Sequence, residues 1–178
     1  MYKSVVIPSV IYGCEVWNDL KNKDLFLLNR LQHFVAKHAQ KFSTLTRSDI
    51  CESMVGLRSI ICELEKRKLF FFWKLCKMDH GYLVENIFMH RLFTCMSDNR
   101  HRIWSVPEIL NILSKYNLFD FLTYYTKNAD FPEKPHWKRI VVDAVNQKHD
   151  FDWQTRIKCI KIRKSTKMSK ICFFQCVT

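Results

Sequence analysis

Three glycines, Gly13, Gly56 and Gly81, punctuate 178 residues. Tight hairpins lean on glycine and on Asn-Gly or Asp-Gly pairs, and none of those pairs occurs. The scarcity therefore argues against an all-β fold. It also excludes a glycine-rich phosphate cradle, which needs clustered rather than isolated glycines.

Helical periodicity fills the space that glycine leaves. In the window 59–78, Ile61, Leu64, Lys68, Leu69, Phe72, Leu75 and Cys76 recur at i+3 and i+4, with Lys68 the one polar member. The run Leu69-Phe70-Phe71-Phe72-Trp73 is apolar all round, so this helix should be buried on more than one side. Glu63 and Arg67 stand at i,i+4 spacing for an ion pair. A second helix is expected over 21–42, with Leu25, Leu28, Leu31, Val35 and Phe42 on its apolar face. Lys23, Arg30, Lys37 and Lys41 lie largely off that face and read on their own as a solvated surface. Residues 2–18 read as a helix kinked at Pro8. Thr46 to Asp49 fits a capping box for a short helix ending near Gly56. Further helices are expected over 82–96, from Ser105-Val106-Pro107-Glu108 and from Asn117-Leu118-Phe119-Asp120. Residues 97–102 read as a loop, and Phe131-Pro132-Glu133-Lys134-Pro135 as a linker. A helix over 136–148 and an amphipathic segment near 151–163 complete the series. The fold expected is all-α: an irregular bundle of about six to eight helices with a basic C-terminal tail. Its divisions are 1–80, 81–130, the linker 131–135, and 136–178.

The formal net charge is +12. Residues 154–178 hold seven Lys or Arg and no Asp or Glu, so they supply +7 of it and the preceding 153 residues +5. A basic excess suggests polyanion partners, nucleic acid before acidic membrane. Arg156, Lys158, Lys161, Arg163 and Lys164 follow Phe151 and Trp153, which could stack on bases. A solvated basic tail beside core aromatics explains the same residues equally well. The apolar run from Val5 to Cys14 is too short to span a membrane and reads as core rather than as a secretion signal. The eight cysteines sit mostly inside helical patterns, as reduced and partly buried thiols of an intracellular protein would, nuclear or cytoplasmic rather than secreted.

Catalytic and metal patterns are thin. Two-metal nucleotidyl transfer needs paired carboxylates, and no Asp-Asp pair occurs. Asp150 and Asp152 read as an acidic pair near a helix start. Cys76 with His80, Cys95 with His101, and Cys172 with Cys176 lack the partner spacing that makes a zinc finger specific. Eight cysteines and seven histidines offer no specific nucleophile–base pair. No metal, cofactor, small-molecule substrate or membrane partner is expected.

Several motifs occur together and in order. Pro8 is followed by Tyr12-Gly13-Cys14-Glu15-Val16-Trp17, then Leu28-x-x-Leu31-Gln32. Arg47 within Thr46-Arg47-Ser48-Asp49-Ile50, the pair Gly56-Leu57, and Lys66, Arg67, Lys68 and Leu69 follow. Over roughly residues 1–80 this order resembles the segment just after the catalytic palm in reverse transcriptases of non-LTR retrotransposons. The resemblance implies a helical thumb or linker that packs on an upstream polymerase domain and helps to hold RNA and DNA. The family's catalytic Asp-Asp motif lies upstream of the segment resembled, so no catalytic residue carries over, and the chain is expected to be a truncated copy. The zinc knuckle of many relatives has no counterpart at Cys172 and Cys176. Two other expectations stand beside this one: a helical protein-interaction module using aromatics around 70–73 and 118–125, and a decayed reading frame.

Overall fold

The computed structural model describes residues 2–17, 20–78, 82–97, 105–128 and 130–175, with side chains described as far as Arg156 apart from Lys3, Asp49, Met96, Ser97 and Ser105. Among these residues there is no strand, and the fold is an irregular all-α bundle. The α-helices are α1 (Ile7–Val10), α2 (Asn22–Ala39), α3 (Ser48–Val55), α4 (Ile60–Cys76), α5 (Leu83–Ser97), α6 (Ser105–Lys115), α7 (Phe119–Asn128) and α8 (Lys134–Gln175).

Helix α4 is the axis of the bundle. The N-terminal segment, α2, α5, α6 and α8 all pack on it. Its buried residues are Ile60, Leu64, Lys68, Leu69, Phe72, Leu75 and Cys76, so the expected stripe holds, with Ile60 in place of Ile61 at its first turn. Ser59 caps the helix, its hydroxyl accepting from the Ile61 N–H. The main core joins α4 to α5, α6, α7 and α8. At its centre Phe72, Phe131 and Trp137 meet edge to face or tilted, with Phe131 and Trp137 centroids 4.9 Å apart. Aromatic pairs of this geometry add about 0.5–1.5 kcal/mol each beyond their buried area. Both indoles are also pinned: Trp137 Nε1 donates to the Leu69 carbonyl at 3.0 Å and Trp73 Nε1 to the Pro132 carbonyl at 2.8 Å. The proline-rich stretch 131–135 is thus part of the core, and its second proline lies in the first turn of α8. Two smaller cores sit at the other end, one between the N-terminal segment and α4, one between α2 and α3.

Four local expectations need correction. The N-terminal helix is not continuous to residue 18. A π-helical turn (Tyr2–Val6) runs into α1, and a 3₁₀ turn (Cys14–Val16) follows Gly13 at φ +69°. Pro8 supplies no N–H to bridge the break, and the Ser9 hydroxyl donates to the Val5 carbonyl at 2.8 Å there. Thr46 does not cap α3: Arg47 occupies the N-cap and makes no side-chain cap bond. Glu63 pairs with Lys66 at 2.6 Å rather than with Arg67, because the Arg67 guanidinium turns inward to donate to the Ile11 carbonyl. Finally, α8 runs unbroken through 148–151, since neither glycine nor proline interrupts the sequence from 136 to 175.

Three helices stop by one device. After α3, Gly56 takes the left-handed region at φ +64°, its N–H reaches Ser53, and the Leu57 N–H reaches the Glu52 carbonyl at 2.8 Å. This is a Schellman closure, with buried Leu57 as its apolar anchor. Asn117, at φ +56°, closes α6 in the same way, with Leu118 donating to the Leu113 carbonyl at 2.8 Å. Asn117 therefore ends α6 rather than opening α7. Lys41, at φ +53°, closes α2 with Phe42 donating to the Lys37 carbonyl at 3.0 Å. A side chain at positive φ costs about 1 kcal/mol that glycine avoids. Gly56→Ala should therefore lower unfolding free energy by about 1 kcal/mol, while Lys41→Gly should raise it or leave it unchanged. Urea unfolding of the two variants checks the opposite signs.

Candidate nucleic-acid interface

Helix α2 begins where the Asp24 carboxylate accepts from the Lys21 N–H at 3.2 Å, and it ends at Lys41. The side it turns inward holds most of the expected apolar face, rotated so that Leu31 leaves it. Gln32 and Ala36 are its fully buried residues, flanked by half-buried Leu25, Leu28 and Val35. The Gln32 amide donates to the Glu52 carboxylate at 2.9 Å and to the Arg58 carbonyl at 2.6 Å. His33 Nε2 lies 3.3 Å from the same carboxylate. Burying an amide is favourable only where its partners are in place, so this network fixes the rotation of α2 against α3. Leu31, expected inside, is turned out with it.

The rotation exposes a second apolar stripe. Phe26 is 64%, Leu27 51% and Phe34 59% accessible. Lys23, Leu27, Arg30, Phe34 and Lys37 follow one another at i+4 and i+3, within about 40° of one line down the helix. Lys23 and Arg30 are exposed; Lys37 is half-buried, and its ammonium donates to the Thr44 carbonyl at 2.7 Å. The Phe34 ring lies 4.2 Å from that of His38. The candidate cations of α2 thus share their face with aromatic side chains instead of standing on a purely solvated one. Lys41 is at the end of the same face but serves first as the backbone stop. Phe26, Leu27 and Phe34 escaped sequence reasoning because apolar residues at helical spacing read as core; their interleaving with Lys23, Arg30 and Lys37 was the available signal.

The C-terminal candidates are only partly described. The Arg156 guanidinium lies 5.8 Å from the Trp153 ring centroid, and Lys148 5.7 Å from that of Phe151. Arg156, Trp153 and His149 line one side of a groove of about 310 Å³, with Arg58 and Gly56 opposite. The side chains of Lys158, Lys161, Arg163 and Lys164 lie outside the described residues. Asp150 and Asp152, two apart on α8, project into different grooves, Asp152 pairing with Lys148, so they cannot share an ion. Among the described residues no three His, Cys, Asp or Glu side chains converge. The candidate zinc pairs cannot be placed, because His80, His101, Cys176 and the side chain of Cys172 lie outside what is described. No described helix is long and apolar enough to cross a membrane.

The residues that carry the family resemblance form linked contacts at the other side of α4. Lys68, 1% exposed, donates to the Trp17 carbonyl at 2.8 Å and pairs with Glu108 of α6. Glu108, in the first turn of α6, is directed to Lys68. One helical turn earlier, Glu65 accepts from Lys115 at 2.7 Å and from the Tyr116 hydroxyl. Burial, with that hydrogen bond, pushes the Tyr116 hydroxyl pKa up. Gln32 and the Gly56-Leu57 closure belong to the α2–α3 contact described above, while Tyr12 is exposed and Glu15 half-buried. Cys14, Cys51, Cys62, Cys76 and Cys95 are free thiols. Burial, then the charge of Glu15, raises Cys14 to about 11, and burial raises Cys62 and Cys76. At neutral pH Cys14, Cys62 and Cys76 are therefore protonated and weakly nucleophilic.

No family model, no curated protein and no solved structure matches the chain.

The contact of Lys68 with the Trp17 carbonyl and Glu108 makes an asymmetric prediction. Glu108→Ala leaves a buried ammonium with one neutral acceptor and should cost about 3 kcal/mol, whereas Lys68→Met removes the buried charge and leaves Glu108, which reaches solvent, to hydrate. Glu108→Ala should therefore unfold at the lower urea concentration of the two. A pH prediction follows from the thiols. Folding holds Cys14 protonated to about 11 while the unfolded chain ionises near 9, so the unfolded state binds fewer protons between these values. The Cys14 contribution to stability should be level well below pH 9 and fall towards pH 11, and Cys14→Ala should flatten part of that fall in urea midpoints measured between pH 8 and 11.

Proposed function

We propose that the chain is a non-catalytic nucleic-acid-binding segment of the kind that follows the palm in non-LTR retrotransposon reverse transcriptases. The observation that carries this reading is the outward face of α2, where cations alternate with exposed aromatic side chains. A polyanion with apolar base faces complements both features, which a purely acidic protein surface does not. Two further observations support it. The motif residues Trp17, Gln32, Gly56, Leu57, Arg67 and Lys68 are spent on holding the N-terminal segment, α2 and α3 against α4, a reason for them to recur together. Val5, Tyr12 and Val16 remain exposed on the N-terminal segment, a surface suited to packing on an upstream polymerase domain. The chain's own residues would then position template or target while another domain performs the chemistry.

A second reading, a helical protein-interaction module, is favoured by exposed apolar side chains on α5 and α7. Leu83, Val84 and Ile87 are exposed together on α5, away from the basic stripe. Of the aromatics expected to serve that role, Phe72 and Tyr125 are buried in the main core, while Phe119 and Tyr124 stay exposed on α7.

Fluorescence anisotropy with labelled RNA and DNA separates the readings. Nucleic-acid binding should weaken linearly in log Kd against log salt, with a slope of about 0.7–0.9 per phosphate neutralised. A chain lacking 154–178 should retain part of that binding. Loss of all binding on that deletion would leave the helical body with no share in it, and a protein partner captured at high salt with no nucleic-acid binding at low salt would favour the module.

A further inference from the structure

We infer that the α2 face takes an unpaired strand, RNA or DNA, in preference to a duplex. The inference rests on the reading of the chain as a nucleic-acid binder and concerns which form it holds. A duplex presents phosphates outward and hides its base faces in the stack, so lysines alone would serve it. The α2 face carries more than lysines. Phe26, Leu27 and Phe34 are each more than half accessible, and they alternate with Lys23, Arg30 and Lys37. An unpaired strand offers both complements at once: phosphates for the cations and open base faces for the rings. The geometry suits a short strand. Lys23 and Lys37 are about 21 Å apart along the helix, and Phe26 and Phe34 about 12 Å, at 1.5 Å per residue. Helix α2 is held from behind by α3 and α4, so the stripe is presented on a fixed support. The only carboxylate in the first turn, Asp24, is occupied with the Lys21 N–H. Stacking on an aromatic ring is tolerant of sequence, so little base preference is expected.

The test compares one sequence in two forms. Full-length protein is titrated into a labelled single-stranded oligonucleotide and into its blunt duplex at the same salt. The single strand should bind more tightly. The double variant F26A/F34A should weaken it by at least about fivefold, the low end of what stacking on one base contributes. The same variant should leave duplex binding unchanged. Phe34→Tyr keeps a ring and should keep the affinity, which separates stacking from a folding defect. Replacing Lys23, Arg30 and Lys37 by glutamine should reduce the single-strand salt slope by about 2, at roughly 0.7 per contact. Equal or tighter duplex binding, or indifference to F26A/F34A, would overturn the inference and leave nucleic-acid binding itself standing. Poly-glutamate competing as well as the single strand would assign the face to an acidic protein and overturn it. Absence of all binding at low salt would remove the underlying reading as well.

Discussion

Lys68 has two acceptors, the Trp17 carbonyl and the Glu108 carboxylate, and they come from segments on opposite sides of α4 in the sequence. Helix α4 is enclosed by the N-terminal segment, α2, α5, α6 and α8, so any charge on its inner turns must be fully partnered or the helix cannot be enclosed. That requirement sets where the chain must return. Trp17 has to arrive with its carbonyl aimed at the ammonium, which fixes the irregular passage through Gly13 and the 3₁₀ turn. Helix α6 has to arrive with its first turn at the same height, which brings Glu65 to Lys115 and Tyr116 one helical turn away. The aromatic centre around Phe72, Phe131 and Trp137 supplies much of the apolar burial, but apolar contacts tolerate sliding. The directional bonds of Lys68, Trp137 and Trp73 select the register within it.

How much of this was legible depended on whether a signal was local. Helix α4 was readable almost to the residue, because a helix buried on several sides needs no decision about which stripe faces inward. The existence of α2, α5, α6 and α7 was readable for the same local reasons. The terminations were less so. Gly56 announces a left-handed stop by its composition, whereas Asn117 and Lys41 perform the same act with side chains that also suit other roles. Asn117 before Leu118-Phe119-Asp120 looks like a helix start, and only the bond from Leu118 back to Leu113 settles that it is a stop. The stretch 131–135 looked like a linker because prolines end helices; here they turn the chain so that Phe131 enters the core and α8 begins at once.

The candidate interface was hidden by an ambiguity that periodicity cannot resolve. Helix α2 carries two apolar stripes, one through Leu25, Leu28 and Val35 and another through Leu27, Leu31 and Phe34. Helical spacing admits either stripe, and Gln32 on the first argues against burying it. The outcome was decided at long range, by Glu52 of α3 and the Arg58 carbonyl, which accept both hydrogens of the Gln32 amide nitrogen, although its carbonyl oxygen is buried without a partner among the described residues. A polar residue inside and phenylalanines outside is a trade that only the tertiary partners explain.

That trade has a consequence for what the outer stripe can meet. Exposed phenylalanines on a rigid helix invite self-association, and large apolar patches on soluble proteins tend to mark contact surfaces. Lys23 and Arg30 sit between these residues on the same line, so two copies brought face to face would oppose like charges along the contact. A neutral apolar partner would have to strip water from the same cations without replacing it. The partner that avoids both costs must be anionic along its length and must carry flat apolar surfaces at intervals. This combination supports the proposed partner, a polyanion with open base faces, over an apolar groove or a second copy of the chain.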